Sequence, residues 1–318
     1  MSPKERFLAA LDRKPLTGRV PHFELVFFLT MEAFGKVHPT HRVFHQWDQM
    51  SKAEQKAQID DVADVYIAIA EKYEHSAIFY QQPQAWSDDA NRRCLDAIQE
   101  KSGGKFSVML HGDCTFSVPH GDTMTEFSAR MFEDPEGLKK EAQRGVEWRL
   151  RETEKIVKWG NVDTFGLCSD YCFNTNPFMS PDQFSEFVAP YLARIIRDFR
   201  DCGFHVIKHT DGNIMPILDQ LVECNPHALH SIDPQGHVDI AEVKRRVGGR
   251  VCLIGNVSCA ALQTGSLAEV EESVRYALES GMPGGGYIFS TSNCVYTGLA
   301  LERYDHMLEL WRKYGNYA

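Results

Sequence analysis

His209, Asp211 and Cys294 are the residues of this chain whose types and spacing could hold a metal ion. His209-Thr210-Asp211-Gly212-Asn213 directly follows the β-branched and aromatic run 204–208 (FHVIK). In an extended segment residues i and i+2 project to the same side, so the imidazole of His209 and the carboxylate of Asp211 can share a target. Cys294 comes shortly after a second such run, 286–290 (GYIFS). A thiolate, an imidazole and a carboxylate together suit Zn2+, and three protein ligands with one open position is the catalytic rather than the structural arrangement. Each residue also has a plainer reading, His209 with Asp211 as a hydrogen-bonded loop pair and Cys294 as a buried thiol. Glu24 ends the run 20–25 (VPHFEL) in an otherwise apolar stretch. It is a candidate fourth ligand or a general acid/base with a raised pKa, or equally a loop carboxylate capping the next helix. Glu24 and Asp211 are therefore the residues expected to carry catalysis.

Such residues meet only if the fold brings them together, and the elements around them repeat. Strand-like runs occur at 20–25, 75–80, 106–111, 163–168, 204–208, 228–232, 251–255 and 286–290, separated by amphipathic helical stretches. Alternation of this kind implies a parallel sheet, either doubly wound or closed. The count of eight favours a closed (β/α)8 TIM barrel, and with no repeat or long linker the whole of 1–318 reads as one domain. Ser180-Pro181-Asp182-Gln183 and Ser266 with Glu269 are helix-starting capping boxes, the first leading an apolar pattern from Phe184 to Phe199. Gly284-Gly285-Gly286 precedes a strand instead of joining a strand to a helix, which makes it a tight turn and not a dinucleotide loop.

In a barrel the active site lies in the loops at the strand C-termini. That places Tyr80, His111, Asp170, Tyr171 and Asp233 beside Glu24, His209, Asp211 and Cys294 as candidates for a substrate pocket, each with a structural role as the alternative.

Composition narrows the partners. Forty-four acidic against thirty-four basic residues give a net charge of −10, which argues against a nucleic-acid or anionic-membrane surface. Val26 to Met31 is bounded by Glu24 and Glu32, far short of the roughly 18 residues of a membrane span. The opening MSPKERFLAALDRKPLTGR has no uninterrupted apolar core for export, and nine cysteines at irregular spacing read as reduced thiols, so a cytoplasmic location is expected.

KERFLAAL followed by GRVP, then HVIKHTDGNIMPILDQL, LHSID, CLIGNV, LQTGSLAEVEESV and GGGYIFSTSN together resemble the uroporphyrinogen decarboxylase superfamily over almost the whole chain. The resemblance implies a (β/α)8 barrel. Decarboxylases of that superfamily carry an arginine-rich segment after the first strand, where this chain reads HFELVFFLTMEAFGK without an arginine. Its cobamide-dependent methyltransferases bind zinc through His-x-Cys after the fifth strand and a Cys after the eighth. Here His209 and Cys294 match, and Asp211 replaces the first cysteine.

An oxygen ligand makes zinc harder and more Lewis acidic, better suited to an ether than to a thiol. The resemblance thus implies a methyltransferase that moves a methyl group from an O-methyl donor, such as a methoxylated aromatic, to Co(I) of a partner corrinoid protein. A homodimer is compatible with it. The alternatives are methyl transfer from a methylcobamide to a thiol, and a metal-free decarboxylase or tetrapyrrole-binding protein.

Overall fold

The computed structural model describes residues 1–317. A short strand β1 (Gly18–Arg19) is followed by seven parallel strands paired in chain order. They are β2 (Ala77–Phe79), β3 (Ser107–His111), β4 (Thr164–Leu167), β5 (His205–His209), β6 (Ala228–His230), β7 (Cys252–Val257) and β8 (Tyr287–Thr291). Strand β9 (Asn316–Tyr317) returns antiparallel to β1.

The run expected as the first barrel strand holds that place without forming a ladder. His22 bridges His75 on one side and Phe289 on the other. Ser76 N donates to His22 O (2.7 Å), Phe289 N to Pro21 O (2.8 Å) and Phe23 N to Phe289 O (3.1 Å), which closes the curled sheet into a (β/α)8 barrel. Pro21 has no N–H to give, so regular pairing cannot extend through it.

The barrel interior is packed by Phe23, Leu25, Phe79, Met109, Ile207 and Ile288, with Phe7 and Leu11 of the first helix (Pro3–Leu11) joining the same cluster. A larger apolar layer lies between the sheet and its helices. Both expected capping boxes form, at Ser180 with Gln183 and at Ser266 with Glu269. The helix expected to run from Ser180 to Phe199 is two helices, Pro181–Phe187 and Ala189–Asp201, broken at Val188. Pro190 has no N–H to continue the first helix's ladder, so the chain restarts there. Gly284, Gly285 and Gly286 all take positive φ (78°, 73° and 60°), as a tight turn into β8 requires.

Beneath the mouth of the barrel lies a buried ion pair. Lys208 and Asp113 are 0% and 1% exposed in their side chains, with Nζ 2.8 Å from Oδ2. Lys208 Nζ also donates to Ser169 O (2.8 Å) and stands 4.1 Å from the centre of the Tyr171 ring. Asp113 accepts in addition from Thr115 N, Thr115 Oγ1 and Ser169 N. Burial alone would raise the Asp113 pKa, but the Lys208 charge and these donors outweigh it and hold the carboxyl well below its usual range.

Lys208→Met leaves Asp113 charged and unpaired, and should cost about 3–5 kcal/mol at pH 7 in a denaturant titration. The sign with pH follows from the lowered pKa. The wild-type pair stabilises fully above the unfolded carboxyl value of about 3.9 and loses that contribution as pH falls through the lower folded value. The stability gap between wild type and Lys208→Met should therefore narrow between about pH 5 and pH 2.

Candidate metal centre

Strand β5 ends at His209, whose side chain is buried in the barrel mouth. Its Nε2 faces two carboxylates, Asp170 Oδ1 at 3.7 Å and Asp211 Oδ1 at 3.8 Å. Ligand atoms of Asp170, His209 and Asp211 all lie within 4.8 Å of one another. The expected pairing of His209 with Asp211 is thus present, and Asp170 from the loop after β4 joins it.

Each member is held by groups around it. Asp211 Oδ1 accepts from Ser231 Oγ (2.7 Å), and its Oδ2 accepts from Asn293 Nδ2. Ser231 and Ile232 sit at φ 93° and 49°, a region that non-glycine residues seldom occupy, and this turn carries the hydroxyl to Asp211. Asp170 Oδ1 accepts from Asp211 N (3.0 Å). Gly212 is required next: its φ is +77° and a Cβ there would lie 2.6 Å from Phe173 O. Asp233 Oδ2 accepts from Gly212 N (3.2 Å) and its Oδ1 from Gln235 N (2.9 Å), so Asp233 braces the loops.

The charges are uncompensated. Burial is the largest influence on Asp211, and together with the Asp170 and Asp233 charges it raises the carboxyl to about 7 against the Ser231 hydrogen bond. Burial likewise lowers His209 to about 4, with Lys208 acting in the same direction and Asp170 opposing. A neutral imidazole nitrogen facing two carboxylates that repel each other has the donor chemistry of a divalent cation site.

The imidazole is also oriented from behind. His209 Nδ1 is 2.7 Å from His230 Nδ1, His230 Nε2 is 3.4 Å from Ser290 Oγ, and Ser290 Oγ is 3.2 Å from Glu24 Oε2.

Glu24 itself is placed in the barrel seam. Its Oε2 accepts from Thr291 Oγ1 (2.6 Å) and Thr291 N (3.2 Å), and its Oε1 lies 3.2 Å from His22 Nε2. His22 Nδ1 lies 2.9 Å from Tyr73 O and donates to that carbonyl, so the ring is held between Tyr73 and Glu24. Glu24 clasps the first barrel segment to β8, and its oxygens are not among the atoms grouped around His209.

Cys294 adjoins that group without entering it. Its Sγ donates to Asn293 Oδ1 (3.1 Å), and burial, its largest influence, pushes the thiol up to about 12, with the Cys259, Asp211, Glu24 and Asp170 charges adding to it.

Tyr171 is buried with its hydroxyl on Thr115 Oγ1 (2.6 Å), under the site and not in it. Tyr80 and His111 line a different cavity, between the helices Asp88–Ser102 and Pro135–Trp159. Sequence reasoning missed His230, Ser231, Asn293 and the Lys208–Asp113 pair. A lysine inside the apolar strand run FHVIK was the one signal for the last.

Polar ligands gathered at the C-terminal mouth of a (β/α)8 barrel are the arrangement of a barrel enzyme. The chain belongs to the uroporphyrinogen decarboxylase family, whose model matches residues 120–314. A curated relative, the uroporphyrinogen decarboxylase of Thioalkalivibrio sulfidiphilus, is 26% identical over 147 residues, covering 43% of this chain and 39% of that protein's length. Among solved structures a methyltransferase from Methanosarcina mazei has the same fold, with a TM-score of 0.75 at 17% identity, covering 98% of this chain and 99% of that one. Among the described residues no helix is long and apolar enough to cross a membrane.

The seam role of Glu24 is separable from a ligand role. Glu24→Ala strands the Thr291 and Ser290 donors and should cost about 2–4 kcal/mol. Glu24→Gln can keep an oxygen toward Thr291 and donate to His22, and should stay within about 1 kcal/mol of wild type with metal content unchanged. Loss of metal in a stable Glu24→Gln protein would return Glu24 to the ligand set.

Proposed function

We propose that this chain is a methyltransferase that takes a methyl group from an O-methyl donor and passes it to Co(I) of a partner corrinoid protein. The observation that carries this reading is the grouping of His209 Nε2 with Asp170 and Asp211 at the barrel mouth of a chain in the uroporphyrinogen decarboxylase family. The whole-chain likeness to a methyltransferase supports the same branch.

His209, Asp170 and Asp211 would hold a divalent cation, zinc in this proposal, with Cys294 near enough in the chain to Asn293 to join on a local shift. Bound there, the cation supplies Lewis acidity toward a substrate oxygen as its carbon–oxygen bond breaks. Two carboxylates with one imidazole form an oxygen-rich set, which favours an ether or alkoxide oxygen over a thiolate. Ser231 and Asn293 fix both oxygens of Asp211, so the carboxylate is pre-aimed. Lys208 and Asp113 neutralise each other below and leave the negative charge of the mouth to Asp170 and Asp211. Met31 on the short helix Thr30–Phe34, Val37 and Val43 in the segment after that helix, and Phe173 in the loop after β4 are exposed, apolar side chains suited to a docking protein.

The decarboxylase reading has the curated relative's name in its favour. Against it, the stretch from His22 to Lys36 offers no arginine for substrate carboxylates.

Elemental analysis should find about one zinc per chain, and His209→Ala and Asp170→Ala should lose most of it, because each removes one of few ligands. Methoxylated aromatics should methylate Co(I) of the corrinoid protein only with this chain present, seen in the cobalt spectrum, and Asp211→Asn should slow this by about 10–100-fold or more. Full zinc occupancy in His209→Ala would remove the site. Rapid methylation of coenzyme M or homocysteine would reverse the donor class, and carbon dioxide release from uroporphyrinogen by metal-free protein would favour the decarboxylase.

A further inference from the structure

A cavity of about 540 Å³ opens outside the barrel wall, between the helices Asp88–Ser102 and Pro135–Trp159. Its floor is apolar, with Leu95 and Ile156 from the two helices and Tyr80 and Leu110 from the ends of β2 and β3. Trp148, Trp159, Arg149 and His111 also line it, together with polar side chains that include Asp88, Glu152 and Lys155. The volume is that of an ordinary small-molecule site, which ranges over about 300–1,000 Å³.

The charges lining this cavity do not cancel in pairs. Lys155 is taken by Glu152 (2.9 Å) and lies 3.9 Å from Asp88. The Asn91 side chain is engaged by Tyr80 Oη (2.8 Å) and Gln82 Oε1 (2.9 Å). Asp113, the acid that reaches Arg149 from the barrel side, is saturated by Lys208, Ser169 and Thr115.

Arg149 remains. It is half-buried, its Nε is buried without any hydrogen-bond partner, and its guanidinium forms no ion pair with the described residues. The Trp148 ring centre stands 4.8 Å from its Cζ, and the acids whose charges reach it, Asp113 and Glu152, are both engaged by lysines. Burial is the main influence on it and lowers its pKa. A half-buried cation with no ion-pair partner and a buried, unpartnered N–H is destabilising, and an arginine beside aromatic faces is the usual receptor for a planar carboxylate.

We propose that this cavity binds a flat organic anion, an aromatic carboxylate, with the carboxylate on Arg149 and the ring against Trp148 and Trp159. The site is separate from the cation cluster, to which it contributes no ligand atom, and it does not rest on the methyl-transfer reading. An aliphatic carboxylate would satisfy Arg149 but not the two indoles. Inorganic phosphate would satisfy the charge alone.

Benzoate titrated into the full-length protein should give saturable quenching of tryptophan fluorescence, with cyclohexanecarboxylate and phosphate binding at least several-fold more weakly. Arg149→Gln should weaken benzoate by about tenfold or more, since a charged hydrogen bond is lost. Trp148→Leu should weaken benzoate toward the cyclohexanecarboxylate level, read by calorimetry. The Tm of wild type should rise with benzoate, whereas ligand-free Arg149→Gln should be at least as stable as wild type because its unpaired charge is gone. His209→Ala should bind benzoate as wild type does, so loss of the cation site leaves this result standing. Unchanged benzoate affinity in Arg149→Gln, no saturable binding at millimolar benzoate, or phosphate binding as tightly as benzoate would each overturn the proposal.

Discussion

The buried pair between Lys208 and Asp113 is the constraint on which the mouth of the barrel depends. It joins the end of β3 to the end of β5, and through Ser169 N and O it fixes the start of the loop after β4. Asp170 follows Ser169 and His209 follows Lys208, so two members of the candidate metal centre are chain neighbours of the groups that the pair immobilises. A pair this deep gains little net stability over apolar residues of the same volume. Its value is positional: neither ion can move without leaving the other unpaired, so Asp170 and His209 inherit a fixed separation. The Tyr171 ring packed on Lys208 adds to that immobility, which is why a tyrosine beside the site is buried below it.

Most of the fold was legible in the sequence, because parallel barrel strands are buried on both faces and stand out as short apolar runs. Seven of the eight runs became strands within a residue or two at each end. The remaining one, around His22, shows where the signal is incomplete: a run read from apolar residues cannot report that Pro21 and the clasp at Glu24 replace a regular ladder. The break at Val188 has the same origin, since the apolar periodicity from Phe184 to Phe199 continues across a proline that the backbone cannot accommodate.

The site was legible in part. His209 and Asp211 are two apart in an extended segment, and that periodicity survives folding. Asp170 was visible as a polar residue past a strand end, but its approach to His209 is set by the β4–β5 register, which no local pattern contains. Glu24 reads identically as ligand or clasp from sequence, because both roles ask for a carboxylate at a strand end. Tyr80 was misjudged in direction alone: alternate residues of a strand face opposite sides, and Phe79 took the interior while Tyr80 took the helix layer. His230 gave no signal, since a histidine in an apolar strand is indistinguishable from a core residue until its neighbour across β5 and β6 is known.

That neighbour decides what His209 can offer. Glu24 Oε2 already receives the Thr291 hydroxyl and amide, so it can only accept from Ser290 as well. Once the Ser290 hydroxyl is spent on Glu24, its oxygen is left to accept from His230 Nε2–H. A neutral His230 with its proton on Nε2 presents a lone pair at Nδ1, and His209 Nδ1–H donates into it across 2.7 Å. Burial keeps His230 neutral, with the adjacent His209 working the same way. The last link leaves His209 Nε2 with a lone pair and no proton, aimed between Asp170 and Asp211. The opposite polarity would point an N–H at carboxylates 3.7 and 3.8 Å away, too far for a hydrogen bond, and would deprive Glu24 of the Ser290 donor. The clasp that closes the barrel therefore also sets the imidazole to the form that a cation requires, and the seam and the site are one hydrogen-bonded unit.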